Sequence, residues 1–306
     1  MLNDLLKYSY LAPIRRFLVR TKVLNGSVSL FEVLSLLFEK IVMFNIDQRA
    51  TAVAFNFTLA VFPAILFLFT LIPYIPIAHL DEQIMVFLYD FMPRGLYREA
   101  EETIRNIVSL KQGGVLSFGF ILALVAATNG MSALMTAFDI AYKARETRGY
   151  FQAKGVAFLL TMLLSFVLFL AVVLLILGGF ITTFMEQRAW LNADLVIFVF
   201  NVLRYLVVFA CFVVAVSLIY HFAPNLEVKW RFFNAGALVA SALIIASSYG
   251  FSFYLSNFSS YNKLYGSIGT FIALMLWFYL IALLLIVGFE LNVSIENARQ
   301  RLAQKQ

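Results

Sequence analysis

The chain has 306 residues, of which 62% are hydrophobic and 13% charged, with a mean hydropathy of +0.89. A soluble globular fold is excluded, since such domains carry about a quarter charged residues. The net charge of +6 reads as membrane orientation rather than nucleic-acid binding, because charge-free runs alternate with short clusters of Lys, Arg, Asp and Glu.

Charges at Lys7, Arg15, Arg16 and Arg20 interrupt every early apolar stretch, so no cleavable signal peptide is expected and the first span must act as its own insertion signal. Residues 1–49 form an N-terminal arm. Within it, 29–44 reads as an amphipathic helix: Ser29 and Glu32 make a capping box, and Phe31, Leu34, Phe38, Ile41 and Val42 form one helical stripe. Such a stripe suits the inner membrane surface, or packing against the bundle.

A crossing of about 30 Å of hydrocarbon needs roughly 20 apolar residues. Six stretches qualify, at 50–75, 115–138, 156–184, 195–220, 233–258 and 267–289. The expected class is therefore an all-α polytopic membrane protein with one transmembrane domain over 50–293 and a short polar tail over 294–306. The first external loop, 76–114, offers two short periplasmic helices broken at Pro93, placed to cap the outer mouth.

Basic residues outside the spans set the orientation. One side carries seven in the arm, four in the second loop, two in the fourth and three in the tail; the other carries four in the first loop, then only Arg188 and Lys263. Acids outnumber bases in that first loop. Both termini are expected to be cytoplasmic.

Polar residues inside the bilayer are the candidate site. Arg204 lies about nine residues into the fourth span, roughly 13 Å deep, with no Asp or Glu in any span to pair with it. It is read either as an anion-recognition point or as a cation that snorkels or binds carbonyls. Asn56 and Asn129 fall at similar depths on small-residue stripes, Ala52, Asn56, Ala60 and Ala64 on one span and Ala123, Ala126, Ala127, Gly130, Ala133 and Ala137 on the next; cross-helix hydrogen bonding is the plainer role. Pro63 frees a carbonyl within the first span. Ser241, Ser248 and Ser252 form a small face on the fifth span that matches Gly266, Gly269 and Ala273 on the sixth. These faces are expected to pack, and the hydroxyls alone say little because each can bond its own i−4 carbonyl.

Enzyme chemistry is not indicated. The only histidines are His79 and His221, and His79, Asp81 and Glu82 form one short polar cluster without a second ligand group. The single cysteine, Cys211, allows neither an intrachain disulfide nor a zinc cluster. No phosphate loop or nucleophile elbow is present, and no cofactor or metal is expected.

The run Phe258-Ser-Ser-Tyr261-Asn262-Lys-Leu-Tyr265-Gly266-Ser-Ile-Gly269, followed by Trp277-Phe-Tyr279 and Gly288-Phe-Glu290-Leu-Asn292, resembles the YihY/BrkB family of bacterial inner-membrane proteins. So do Asp47, Ala52, Thr58 and Pro63; Ser132, Leu134 and Met135; and Tyr220, Pro224, Asn225, Trp230, Arg231 and Gly236. The resemblance covers about 25–297 and implies six spans. It also brings an old ribonuclease label regarded as a misassignment, a virulence label, and, for some members, transport linked to lipid or lipopolysaccharide traffic. Phe289 departs from the small residue the family pattern carries before Glu290, which argues against close helix contact there. Glu290 and Asn292 are expected to pair with fourth-loop bases such as Lys229 or Arg231. Tyr261 and Asn262 are expected in a turn near the outer face, with Asn262 as a cap.

The expected function is handling or transport of an amphipathic, anionic substrate such as a membrane lipid or lipopolysaccharide precursor, in the bacterial inner membrane. No nucleic-acid partner is expected, and self-association remains open. A non-transporting envelope scaffold is the alternative, a membrane nuclease the remote one.

Overall fold

A computed structural model of the chain describes 16–17, 19–23, 28–43, 45–74, 113–142, 148–187, 193–225, 230–257 and 259–304, with Glu82, Met85, Glu101 and Arg105. Along the helices, backbone alone is described over 175–187, 193–197 and 259–268 and at a few further positions, among them Arg204. The expected periplasmic helices of 76–114 and His79, Asp81 and Lys229 lie outside the described residues.

Among the described residues seven α-helices follow one another: α1 Leu30–Met43, α2 Ile46–Leu71, α3 Gly113–Tyr142, α4 Tyr150–Gln187, α5 Ala193–Phe222, α6 Ala235–Asn257 and α7 Ser259–Ala303. The last six each contain a segment long and apolar enough to cross a membrane. The protein is an all-α membrane protein. A two-residue antiparallel ladder, β1 Lys22–Val23 with β2 Val28–Ser29, leads into α1.

The chain divides into two compact units, Met1–Ala54 with Met131–Gln306, and Phe55–Gly130. In the second unit α2 and α3 run antiparallel. Gly119 sits against the Phe67 backbone, Gly130 against the Phe57 ring, and the Phe67 and Phe120 rings lie 5.3 Å apart. The Ala52 stripe is not the buried side of α2: Ala52 is exposed, whereas Thr58 and Pro63 are buried. Helix-facing positions here include aromatic-on-glycine contacts: Gly130 belongs to the expected small stripe of α3, whereas Gly119 does not.

In the first unit α7 is the organising element, packing on α6, on α1 and on β2, while α5 packs on α4 and α6. With 45 residues it is about 68 Å long, more than twice the hydrocarbon thickness. Two expectations are corrected by it. Residues 259–266 are helix rather than loop, so Tyr261 and Asn262 stand in the first turns of α7. Nothing in that stretch breaks a helix: Gly266 and Gly269 are tolerated singly and no Pro intervenes. The polar tail is also part of the core, because Val293, Ser294 and Ala298 are buried and Leu291, Ile295 and Ala298 pack on Val33 and Leu36 of α1.

Ser29 caps α1 as expected, accepting from the Glu32 amide at 3.2 Å. The buried face of the helix, however, is Val33 and Leu36, offset from the expected stripe, and Ile41 is exposed. Both faces are apolar, and α7 selects the one that continues to Lys40.

Candidate functional site

Helices α1 and α2 meet at Asn45, which holds a left-handed φ of 46°, a conformation asparagine tolerates better than most residues. This tight elbow leaves Lys40 on the last turn of α1 and Arg49 on the first turn of α2. Both reach one carboxylate. Glu290 of α7 is 1% exposed; its Oε1 accepts from Arg49 Nη2 at 3.0 Å, and its Oε2 lies 3.1 Å from Lys40 Nζ. The Lys40 contact is an ion pair without hydrogen-bond alignment, whereas the Arg49 contact is aligned. Arg49 Nη1 donates to the Ala137 carbonyl of α3 at 2.9 Å, and Arg49 Nε is buried with no acceptor. One turn beyond Glu290, Ser294 Oγ is likewise buried without a partner.

Phe289, the residue before Glu290, sits in a cluster of aromatic rings. Phe138 stacks on Phe289 with centroids 4.3 Å apart, Tyr220 meets both edge-on, and Trp230 lies 5.2 Å from Phe289. Tyr220 donates to the Leu285 carbonyl at 2.7 Å, which satisfies its buried hydroxyl. Glu290 is itself shut away from water, and in such surroundings an ion pair is held tightly but is costly to form.

Close helix contact is present beside Phe289, contrary to the expectation drawn from its size. Gly288 makes the approach: a Cβ there would stand 2.5 Å from Tyr220 Oη and 2.6 Å from Ala240 Cβ, and one on Gly236 would overlap the Gly288 carbonyl. Phe289 itself points into the aromatic cluster and is fully buried.

Asn292, one turn from Gly288, completes the α6 start. Asn234 Oδ1 accepts from the Ala237 amide at 2.9 Å as an N-cap, and Asn292 Oδ1 accepts from the Gly236 amide at 2.8 Å while its Nδ2 donates to Asn234. Of the expected fourth-loop partners, Lys229 lies outside the described residues and Arg231 is not paired with Glu290 or Asn292. Glu290 pairs with the N-terminal elbow, and Asn292 serves a helix cap, because α7 runs on beyond Gly288 and presents these residues to α1 and α6. Arg231 contributes only its carbonyl, accepting from Asn234 Nδ2 at 3.4 Å.

The same end of the unit carries two further ties. Arg148 donates to the carbonyls of Phe222, Ala223 and Pro224 at 3.3, 2.8 and 3.2 Å, capping the C-terminus of α5. Asp139 accepts from the Asn225 amide at 2.9 Å.

Of the residues singled out from the sequence, the structure brings Glu290 and Asn292 to this centre. Pro63 is buried within α2 and lies in the other unit with Asn56 and Asn129. Asn56 and Asn129 sit at one level of the α2–α3 pair, each one residue before the Phe57–Gly130 contact; Asn56 is half-buried and Asn129 exposed. Ser248 accepts from Trp277 Nε1 at 3.4 Å, a packing role between α6 and α7. The side chains of Arg204, Tyr261, Asn262 and Gly266's neighbours lie outside what is described; Arg204 is placed within α5. Ser241 Oγ is fully buried and unbonded, whereas Thr70, Thr128 and Thr161 bond their i−4 carbonyls. In the sequence Lys40 and Arg49 count only as orientation charges. The usable signal is the i, i+3, i+7 set Val33, Leu36, Lys40, which lines Lys40 up with an apolar face. Among the described residues no group of three or more His, Cys, Asp or Glu could hold a metal ion.

Six candidate membrane spans define a polytopic α-helical membrane protein. The chain matches the family described as virulence factor BrkB over residues 37–306, and it belongs to that family. It is 30% identical over 264 residues to a ribonuclease-like protein, YfkH, of Bacillus subtilis (strain 168), covering 86% of this chain and 95% of that protein. It is 26% identical over 258 residues to a UPF0761 membrane protein of Stenotrophomonas maltophilia (strain R551-3), covering 82% of this chain and 58% of that longer protein. A shorter match, 39% over 82 residues, joins it to a UPF0761 membrane protein of Photobacterium profundum, over 27% of this chain and 26% of that one. No solved structure matches it.

Proposed function

We propose that this protein handles an anionic amphipath, a membrane lipid or lipopolysaccharide precursor, in the bacterial inner membrane with both termini cytoplasmic. The observation that carries the reading is the state of Arg49: 8% exposed, bound to Glu290 and to Ala137, with Nε left over. A buried ion pair is a weak source of stability, since apolar residues of the same volume serve as well. Charges kept at the end of a transmembrane bundle mark substrate or ion routes. A headgroup phosphate offers the guanidinium anionic oxygens of the kind that Glu290 Oε1 presents. Glu290 then acts as the resident anion, holding Arg49 until a headgroup exchanges with it, and the Asn45 elbow is where α1 would give way.

Reconstitution tests the reading. Vesicles carrying fluorescent phosphatidylglycerol should lose inner-leaflet label to an external quencher faster with protein than without, and Arg49→Gln should slow that loss. Protein-free rates with folded protein present would favour the envelope scaffold instead. Orientation is checked by reporters: a periplasm-dependent fusion after Gln187 should be active and one after Arg148 inactive, and the reverse pattern overturns the topology.

A further inference from the structure

Around the Glu290 carboxylate, three polar atoms are buried without a hydrogen-bond partner among the described residues: Arg49 Nε, Ser294 Oγ and Glu290 Oε2, the last held to Lys40 as an ion pair only. Buried polar atoms are otherwise almost always bonded, so orphans gathered about one carboxylate mark a place for a polar guest. Their positions agree. Nε shares one edge of the planar guanidinium with Nη2, the nitrogen that donates to Glu290, so half of a two-point edge is in use and half is not. Ser294 follows Glu290 by four residues in α7, one turn on along the same face.

Charge narrows the choice of guest. Lys40 and Arg49 bring two positive charges to one carboxylate, with side chains 12%, 8% and 1% exposed, and the carboxylates nearest to them in sequence, Glu39 and Asp47, are exposed. Among the described residues the centre is thus left with one net positive charge, which water does not balance and a monoanion does. Hydrogen bonding narrows it further. The guest must accept from Nε and Oγ and donate to Oε2. Halide, sulfate and an ionised carboxylate only accept, whereas a phosphate group that keeps one proton accepts through its bare oxygens and donates through its P–OH.

We propose that Arg49, Ser294 and Glu290 form a seat for a protonated phosphate group, the chemistry shared by a phosphomonoester headgroup and inorganic phosphate. The phosphate is received beside Glu290 with the Arg49 pair still closed. The seat rests on the reading of this centre as a headgroup site and is the step before exchange; phosphate binding and lipid movement are measured apart, so each can fail alone.

The whole protein, stripped of lipid by detergent exchange, is titrated with sodium phosphate and, at matched ionic strength, with sodium sulfate, and its thermal midpoint is followed. Phosphate should raise the midpoint to a plateau and sulfate should not. Ser294→Ala removes an unbonded hydroxyl, so its midpoint without phosphate should equal or exceed the parent's, while half-saturation moves to about tenfold higher phosphate. Ser241→Ala, the same deletion of a buried unbonded hydroxyl on α6, should leave half-saturation unmoved. In doped micelles the phosphomonoester phosphatidic acid should act at a lower mole fraction than the phosphodiester phosphatidylglycerol, which has no P–OH. A response to phosphatidic acid without one to inorganic phosphate assigns the seat to a headgroup, and the reverse assigns it to free phosphate. A sulfate shift as large as that of phosphate, equal action of the two lipids, unmoved half-saturation in Ser294→Ala, or no response to any phosphate overturns the seat and leaves the orphaned atoms to water.

Discussion

Arg49 and Glu290 are 241 residues apart in sequence and 3.0 Å apart in space, joined by a hydrogen-bonded ion pair in which the carboxylate is 1% exposed. Through this pair the start of the first span is fixed to the last, and the arm ahead of it is held by Lys40 on the other carboxylate oxygen.

The two ends of the pair are not equivalent. Glu290→Gln leaves two cations facing a neutral amide and should cost about 3–5 kcal/mol, the usual penalty for stranding buried charge. Arg49→Gln leaves Glu290 still paired with Lys40 and should cost less. Thermal unfolding of both variants in one detergent checks the order; a more damaging Arg49→Gln would mean that Lys40 contributes little.

Glycine contacts give a graded series. Gly236→Ala should fail to fold or lose membrane level, because its Cβ meets the Gly288 backbone carbonyl, which cannot move without separating α6 from α7. Gly288→Ala should be nearly as severe against Tyr220 and Ala240. Gly250→Ala meets nothing within 4 Å and should be neutral or slightly stabilising as a better helix former. Fluorescence size-exclusion profiles of the three rank them directly.

Asn292 and Asn234 share the α6 cap but differ in what their loss exposes. Asn234→Ala removes an N-cap worth about 1 kcal/mol. Asn292→Ala strands the buried Gly236 amide and should cost about 1–3 kcal/mol. Comparable midpoints for the two would place the Gly236 amide in contact with water.

That there are six spans is legible because their signal is local: each charge-free run falls on one of six long apolar helices. Glu290 and Asn292 stand out through family resemblance alone. Their partners do not, since Lys40 and Arg49 look like ordinary membrane-flanking bases until the fold brings both to the Glu290 carboxylate of α7. Helix continuation through Gly266 and Asn262 is hidden for a related reason. Turn-forming residues signal a break only where packing does not hold the helix together, and α6 lies along α7.

Arg204 remains a separate candidate within α5. If it meets an anionic group, Arg204→Lys should keep part of the function and Arg204→Gln lose more, with membrane level held or improved as the desolvation cost of charge disappears. Full function with Lys would instead indicate a snorkelling cation. Complementation measured beside expression level separates the two outcomes.

If Glu290 occupies a place that an anionic headgroup can take, the most direct test is the amount of anionic phospholipid that co-purifies with equal quantities of folded protein. Mass spectrometry of the parent, Arg49→Gln and Glu290→Gln proteins should give opposite signs for the two variants. Arg49→Gln loses the guanidinium and should retain less lipid than the parent. Glu290→Gln frees the guanidinium from its resident carboxylate and should retain more, despite being the less stable protein. Equal retention in all three, or a loss in Glu290→Gln that matches the loss in Arg49→Gln, would contradict the exchange and leave the pair a structural clamp.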